Sequence, residues 1–177
     1  MGRVAAWIQE GLNAGDAVVV VATIEHILAF SRALEAAGVD PAELGATGRL
    51  CVQDAREALA GFLADGLPDR TRYLAFAGPI LDAAGRVSRS GEIRVFGEMA
   101  ELLWREGNAA GGAALRALWS EALAERGFSL IRADSVDGFP GHEHAIAFRA
   151  SCSWHGASRP AVAYDALPED ERRLRSA

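Results

Sequence analysis

The sequence feature that most constrains the fold is an uninterrupted apolar run from Ala17 to Ala22. Its four central residues are all Val, and no polar residue alternates with them. A run without alternation is typical of a strand buried on both faces, as in a parallel sheet. It is far too short to cross a bilayer, and no basic segment followed by a long apolar stretch opens the chain. We therefore expect a cytoplasmic protein with no membrane contact, built around this strand.

Helical and strand-like segments alternate along the rest of the chain. Strands are expected at 17–22, 49–53, 92–96 and 128–131. Helices are expected at 4–12, 24–37, 55–64, 70–84 and 98–106, and a long one ends near 126; Gly78-Pro79 is a possible break in the fourth. Strands that alternate with helices of this length indicate βαβ units. The fold class expected is three-layer α/β, with a mainly parallel sheet and helices on both faces.

The amino-acid composition argues against several classes of function. All 18 basic residues are Arg, and Lys does not occur. The common phosphate-binding loop and Schiff-base catalysis both need a Lys. The net charge of −6 argues against binding to nucleic acid, which needs a basic excess. Cys51 has no His nearby in the sequence, and we expect no thiol catalysis.

Polar residues follow each predicted strand, where an open parallel sheet binds its ligands. If the sheet is parallel, these residues gather at one edge: Thr23, Glu25 and His26; Gln53 and Asp54; Gly97 and Glu98; Arg132 and Asp134.

Each of these residues also has a purely structural interpretation. Thr23 and Glu25 could serve only to cap a helix, and a Glu at that position would repel phosphate. His26 begins the same helix, whose dipole favours a neutral imidazole that can donate and accept hydrogen bonds. Arg94 and Glu98 share one side of a strand, so we expect a partly buried ion pair between them, or a close substitute as the partner of Glu98.

Two further groups have a stronger structural than functional interpretation. Trp104 and Trp119 suit core packing, although Trp104 with Phe96 and Met99 could line an apolar pocket. A zinc site from His142, His144 and His155 is the minor alternative to a solvated loop. We therefore expect no metal, no cofactor and no catalytic residue.

Several short strings together resemble the MEDS domain (methanogen/methylotroph, DcmR sensory). The resemblance covers about residues 4–160, and its most specific string is Arg94 to Met99. The strings are Gly11 to Asp16; Ala22 to His26; Gly48 to Leu50 with Asp54-Ala55; Gly66 to Asp69; Arg94 to Met99 with Leu103-Trp104; and Ala113 to Leu115 with Leu118-Trp119.

The resemblance implies a RecA-like α/β core with a degenerate phosphate loop. It also implies a sensory role in prokaryotic signalling, with a small ligand such as a hydrocarbon derivative and a partner such as a histidine kinase or a sigma or anti-sigma factor. We accordingly expect a sensory domain over 1–160 and a C-terminal tail over 161–177. Members of the family usually begin with one more strand, whose absence would expose a sheet edge that a homodimer could cover.

Three functions follow from these observations. The first is a non-catalytic sensory or regulatory domain that binds its ligand or partner through Thr23, Glu25, His26, Asp54, Arg94, Glu98, Trp104 and Arg132. The second is a degenerate nucleotide-binding protein in which Arg94 or Arg132 replaces the missing Lys and ATP is held without efficient hydrolysis. The third is a protein-interaction module, which would present a large exposed apolar patch.

Overall fold

The computed structural model describes residues 2–132, in which helices and strands alternate. The strands are β1 (Ala17–Ala22), β2 (Leu50–Asp54), β3 (Leu63–Ala64), β4 (Leu67–Pro68), β5 (Ile93–Gly97) and β6 (Ser129–Arg132). The helices are α1 (Gly2–Ala14), α2 (Ile24–Ala36), α3 (Pro41–Ala46), α4 (Ala55–Phe62), α5 (Arg70–Val87), α6 (Met99–Arg105) and α7 (Ala109–Arg126).

The main sheet of the described residues has the strand order β2-β1-β5-β6, and every neighbouring pair is parallel. Strand β1 lies inside the sheet, and all six of its residues are buried. Helices α1 and α2 cover one face of the sheet, and α4 and α5 pack against β1 as well. The predicted α/β class, with a parallel sheet between helices, is confirmed.

The β1 side chains explain why this strand is apolar without alternation. Val18, Val20 and Ala22 belong to a core cluster with Ile8 of α1 and Phe30 of α2. Because successive side chains of a strand point to opposite faces, the Val residues between them face the other helical layer. A polar residue at any of these positions would be buried without water.

Two local features needed the structure to decide them. Helix α5 continues through Pro79 without a break, because its buried residues Tyr73, Ala77, Leu81 and Ala84 lie on both sides of the proline and hold it against the core. Helix α3 is not among the helices expected from the sequence: the Asp40 side chain caps it and Pro41 is its first residue. This Asp-Pro signal is legible in the sequence.

Substituting Tyr73 by Phe is expected to leave stability unchanged or to raise it by up to about 1 kcal/mol. Tyr73 is fully buried between the rings of Phe62 and Trp119. Its hydroxyl has no hydrogen-bond partner within residues 2–132, and burial raises the pKa of this phenol strongly. Removing the hydroxyl therefore removes a desolvated group without breaking a bond. Thermal unfolding of both proteins tests this, and a clear loss of stability would contradict the packing described.

None of the helices within residues 2–132 has the length and apolar character that crossing a membrane requires. Several predictions concern positions outside the described residues: Asp134, Cys152, the three histidines from His142 to His155, and the domain boundary at 160/161.

Candidate functional site

The carboxyl ends of all four main strands meet at one edge of the sheet, as the sequence predicts. Ala22 at the end of β1 pairs with Asp54 of β2, and Val21 pairs with Gly97 of β5. Gly97 in turn pairs with Arg132, the last residue of β6. Strand β1 connects to β2 on one side, whereas β5 lies on its other side, so strand order reverses between β1 and β5. Open α/β sheets bind ligands at such a reversal.

Glu98 lies at this reversal, immediately after β5, and only 4% of its surface is exposed. Its Oε2 atom accepts a hydrogen bond from the Thr23 amide at 2.9 Å and another from the Thr23 hydroxyl at 3.4 Å. Its Oε1 atom pairs with Nδ1 of His26. The buried carboxylate therefore ties the end of β5 to the beginning of α2.

The pairing with Glu98 determines which nitrogen of His26 faces a ligand. An ionised carboxylate only accepts hydrogen bonds, so Nδ1 of His26 carries the proton. In the neutral ring Nε2 is then an acceptor, and it belongs to a side chain that is 30% exposed. In that neutral form His26 offers an oriented acceptor at a partly open position, the arrangement that carboxylates impose on functional histidines.

The same carboxylate occupies the position at which a helix would bind an anion. The amino terminus of a helix attracts negative charge through its free amides and its dipole. The Thr23 amide, at the start of α2, is already taken by Glu98. A phosphate at this place would meet a buried negative charge, so the local electrostatics favour a neutral ligand.

The other predicted site residues at the ends of β1 and β2 have different contacts. Thr23 occupies the N-cap position of α2, but its hydroxyl bonds to Glu98 and does not cap the helix. Glu25 is exposed in the first turn of α2. Asp54 caps α4 by accepting from the amides of Arg56 at 2.9 Å and Glu57 at 2.8 Å.

The predicted ion pair between Arg94 and Glu98 is wrong. Arg94 Nε donates to Oδ2 of Asp16 at 2.6 Å, and its NH1 donates to the Trp7 carbonyl at 3.1 Å. Since Arg94 pairs in register with Val18 near the beginning of β1, this contact lies at the amino ends of the strands. Asp16 precedes β1 by one residue and is far nearer to the Arg94 side chain than Glu98 is, which sequence spacing cannot reveal.

The aromatic residues considered for a ligand pocket form part of the core. Phe96 and Met99 are each 1% exposed, and Trp104 is 5% exposed. The Arg116 guanidinium lies over the Trp104 ring at 5.4 Å. Arg132, by contrast, is half-buried at the end of β6 and stays at the edge where the other site residues lie.

Sequence reasoning missed an apolar groove of about 830 Å³ that runs beside the edge strand β2. Its walls come from α2, α3 and α5, and its lining includes Ile27, Ser31, Glu35, Val52 and Ile80. These residues are far apart in the chain, so no local pattern could have indicated the groove. Residues 2–132 contain no group of three or more His, Cys, Asp or Glu side chains placed to hold a metal ion.

Comparison with known proteins gives one match. A family model described as "MEDS: MEthanogen/methylotroph, DcmR Sensory domain" matches residues 1–148. No curated protein and no solved structure matches the chain.

Proposed function

This chain belongs to the MEDS family of sensory domains, and from this we propose that it detects a small neutral molecule at His26 and Glu98. We propose further that it passes the signal to a partner protein. The partner class is a prokaryotic signalling protein such as a histidine kinase or a sigma or anti-sigma factor. The observation that carries the proposal is the nearly buried Glu98, which links β5 to α2 through Thr23 and His26.

A ligand bound at His26 could change the conformation of the protein by moving helix α2. A ligand that donates a hydrogen bond to Nε2 of His26 would alter the His26–Glu98 contact, on which the position of the first turn of α2 depends. The ligand shifts the protein between two arrangements only if it binds one of them more tightly. Helix α2 would then carry the change along its 13 residues to a surface that a partner can read.

The chemistry around His26 favours recognition over turnover. The Thr23 hydroxyl donates to Glu98, so it is not activated by His26 as a nucleophile would be. The ring offers an acceptor, and the nearby carboxylate disfavours an anion. A ligand with a hydroxyl or amide donor on a largely apolar body fits both conditions.

The degenerate nucleotide-binding alternative has less support. The chain has no Lys, and Glu98 occupies the anion position at the start of α2. Arg94, one of the two candidates to replace the lysine, is held by Asp16 at the other end of the strands. Arg132 is the remaining candidate, since it ends β6 beside Gly97.

Substituting His26 by Ala is expected to weaken the binding of neutral small molecules while the protein stays folded. The ring is partly exposed, so its removal costs little packing. The measurement is a thermal-shift screen of neutral hydroxyl- and amide-bearing compounds, followed by calorimetry on the hits. We expect the wild type to bind some of these compounds and His26→Ala to bind them at least tenfold more weakly, which corresponds to about 1.4 kcal/mol.

Two controls separate this proposal from its alternatives. His26→Gln retains an acceptor near the same position and should recover part of the affinity, whereas Arg94→Met, at the far end of the strands, should leave it unchanged at a temperature where the variant is folded. ATP with magnesium is the competing ligand. ATP binding at millimolar concentration or better that is lost in Arg132→Ala would contradict the neutral-ligand proposal, as would hits that His26→Ala binds normally.

A further inference from the structure

The side of the molecule next to β2 carries an unusual share of the exposed apolar surface. Within residues 2–132 the exposed large hydrophobic side chains are Ile24 (59%), Leu28 (51%), Val52 (39%) and Leu67 (49%). Ile24 and Leu28 lie on the same face of α2 as Ser31 and Glu35, which line the groove beside β2. Ile24, Leu28 and Val52 therefore form one surface, here called the edge face.

We propose that the edge face binds a second copy of this chain, related by a two-fold axis that passes beside Val52 and Leu28. The proposal concerns assembly and does not depend on the identity of the small molecule.

The backbone of β2 offers the hydrogen bonds that such a pairing needs. The Val18 amide donates to the Arg49 carbonyl at 2.8 Å, and Val18 pairs with Leu50. In a parallel ladder this means that the amide and carbonyl groups of Val52 and Asp54 point away from β1. Strand β2 contains no Pro or Lys to discourage pairing. Two antiparallel copies that overlap from Val52 to Asp54 would exchange hydrogen bonds between Val52 of one copy and Asp54 of the other.

Helix α3 limits the open part of this edge. A β-carbon built on Gly45 would lie 3.9 Å from the Leu50 carbonyl oxygen, so α3 covers the beginning of β2. The stretch from Val52 to Asp54 stays available, and it is the stretch nearest to Ile24. The axis must therefore pass near Gln53, midway along this open stretch, and not nearer the beginning of the strand.

Leu28 and Val52 lie at similar positions along the strand direction, as a single two-fold axis requires. Asp54 pairs with Ala22, just before α2 begins. Val52 lies two residues back from Asp54, about 6.6 Å at the usual strand rise. Leu28 lies four residues into α2, about 6 Å at the usual helical rise. Both side chains are therefore at nearly the same height and can lie close to the same two-fold axis.

The lateral distances also fit. Helix α2 packs against both β1 and β2, so its axis lies about 5 Å from the midpoint between two paired β2 strands, given a strand spacing of about 4.8 Å. The two α2 helices would then run antiparallel about 10 Å apart, at the upper end of the usual range for packed helices. Ile24 and Leu28 of each copy would fill the space between them.

The charges on α2 complement themselves in this arrangement. Glu25 and Arg32 lie seven residues apart, along the outer margin of the apolar stripe. Reversing the helix about Leu28 places Arg32 of one copy beside the partner's Glu25, and this occurs twice because of the symmetry. A second copy therefore satisfies both the apolar and the charged positions of the edge face.

The proposed interface and the sensory site lie on opposite flanks of one helix. His26 pairs with Glu98 at the end of β5, whereas Ile24 and Leu28 are exposed on the flank of α2 that carries the groove residues Ser31 and Glu35. The buried residues Phe30 and Leu34 lie between these flanks. A movement of α2 at His26 would therefore change the contacts between the two copies, so dimer strength is a direct readout for this domain.

The test is sedimentation velocity on the full chain from about 1 to 200 μM. We expect the wild type to dimerise and Leu28→Glu to weaken the dimer at least 30-fold. The matched control is Leu67→Glu, which introduces the same charge at an equally exposed leucine outside the edge face and should dimerise like the wild type. Circular dichroism checks that both variants are folded.

A charge exchange provides a second, independent measurement. Glu25→Arg alone should weaken the dimer, and adding Arg32→Glu should restore it, because the exchanged pair meets again across the axis. A wild-type monomer at 200 μM would overturn the proposal, and so would a dimer that Leu28→Glu leaves intact. A monomer whose melting temperature falls sharply in Leu28→Glu would instead indicate that this chain covers the edge face itself, which also contradicts it.

Discussion

Substituting Arg94 by Met is expected to lower the free energy of unfolding by about 3 kcal/mol at pH 7, the usual cost of removing one partner from a buried ion pair. Asp16, only 4% exposed, receives hydrogen bonds from Arg94 at 2.6 Å and from Ser90 at 2.7 Å. Without the guanidinium its negative charge would remain buried with less compensation. Met retains much of the apolar stem that packs beside Gly11 and Trp7. Urea denaturation of both proteins measures the difference.

The pH dependence distinguishes the loss of this pair from a loss of packing. Burial by itself raises the pKa of Asp16, but the hydrogen bonds from Ser90 and Arg94 and the charges of Arg94 and Arg49 outweigh it and hold the pKa below its ordinary value of 3.8. The stability that the ionised form contributes is therefore present above pH 3.8 and is lost as the pH falls through the lowered pKa. We expect the gap between wild type and Arg94→Met to be widest near neutrality and to narrow below about pH 4.

An exposed ion pair is the matched control. Arg56 and Glu106 lie 2.8 Å apart, but their side chains are 64% and 53% exposed. Arg56→Met should therefore cost less than about 1 kcal/mol. If the two substitutions proved equally costly, or if the Arg94→Met gap did not change with pH, the account of Asp16 as a compensated buried charge would be wrong.

Substituting Gly111 by Ala is expected to lower the free energy of unfolding by about 2 kcal/mol, although Ala is the better helix former. A β-carbon at this position would lie 2.5 Å from the Gly66 carbonyl oxygen and 2.5 Å from Asn108 Nδ2. Asn108 caps α7 through the Gly111 amide and also donates to the Gly66 carbonyl at 2.6 Å. Neither neighbour is free to move, so the cap and the contact with the β3–β4 turn would both be disturbed.

Substituting Gly61 by Ala is the matched control, and its expected effect on stability has the opposite sign. It lies in α4, and a β-carbon there would have no atom within 4 Å. Gly61→Ala should raise stability by about 0.5 kcal/mol, through helix propensity and the smaller entropy of the unfolded chain. Thermal unfolding of the two variants against the wild type decides the matter, since equal effects would mean that the close approach at Gly111 is not present in the protein.

Much of the fold could be predicted from local patterns. The unbroken apolar run at β1 indicated a strand buried on both faces, and the helix lengths indicated a parallel sheet. Because parallel strands align their ends, the same reasoning predicted that the residues following them meet at one edge, as Thr23, Asp54, Glu98 and Arg132 do. The continuity of α5 through Pro79 was not predictable, because its cause is packing against other parts of the chain.

The candidate site shows where the sequence stops being informative. His26 and Glu98 were each identified from position, but their pairing was not, since Arg94 shares a strand with Glu98 and is the closer candidate in sequence. The tertiary structure decides otherwise: Arg94 points to Asp16 at the amino ends of the strands, and Glu98 meets residues 72 and 75 positions away. Similarly, Ile24 and Leu28 are unremarkable as two apolar residues of a helix until β2 is placed beside them.

The sequence by itself therefore determined the type of the main helices and of the four main strands, the class of the sheet and the edge at which its polar residues gather. These depend on periodicity and on backbone chemistry, which act over a few residues. Only the tertiary structure decided which charges pair, which aromatic rings are buried and which apolar face stays uncovered. Those outcomes depend on distances between residues far apart in the chain, and burial strengthens or penalises each interaction according to the neighbours that the whole fold supplies.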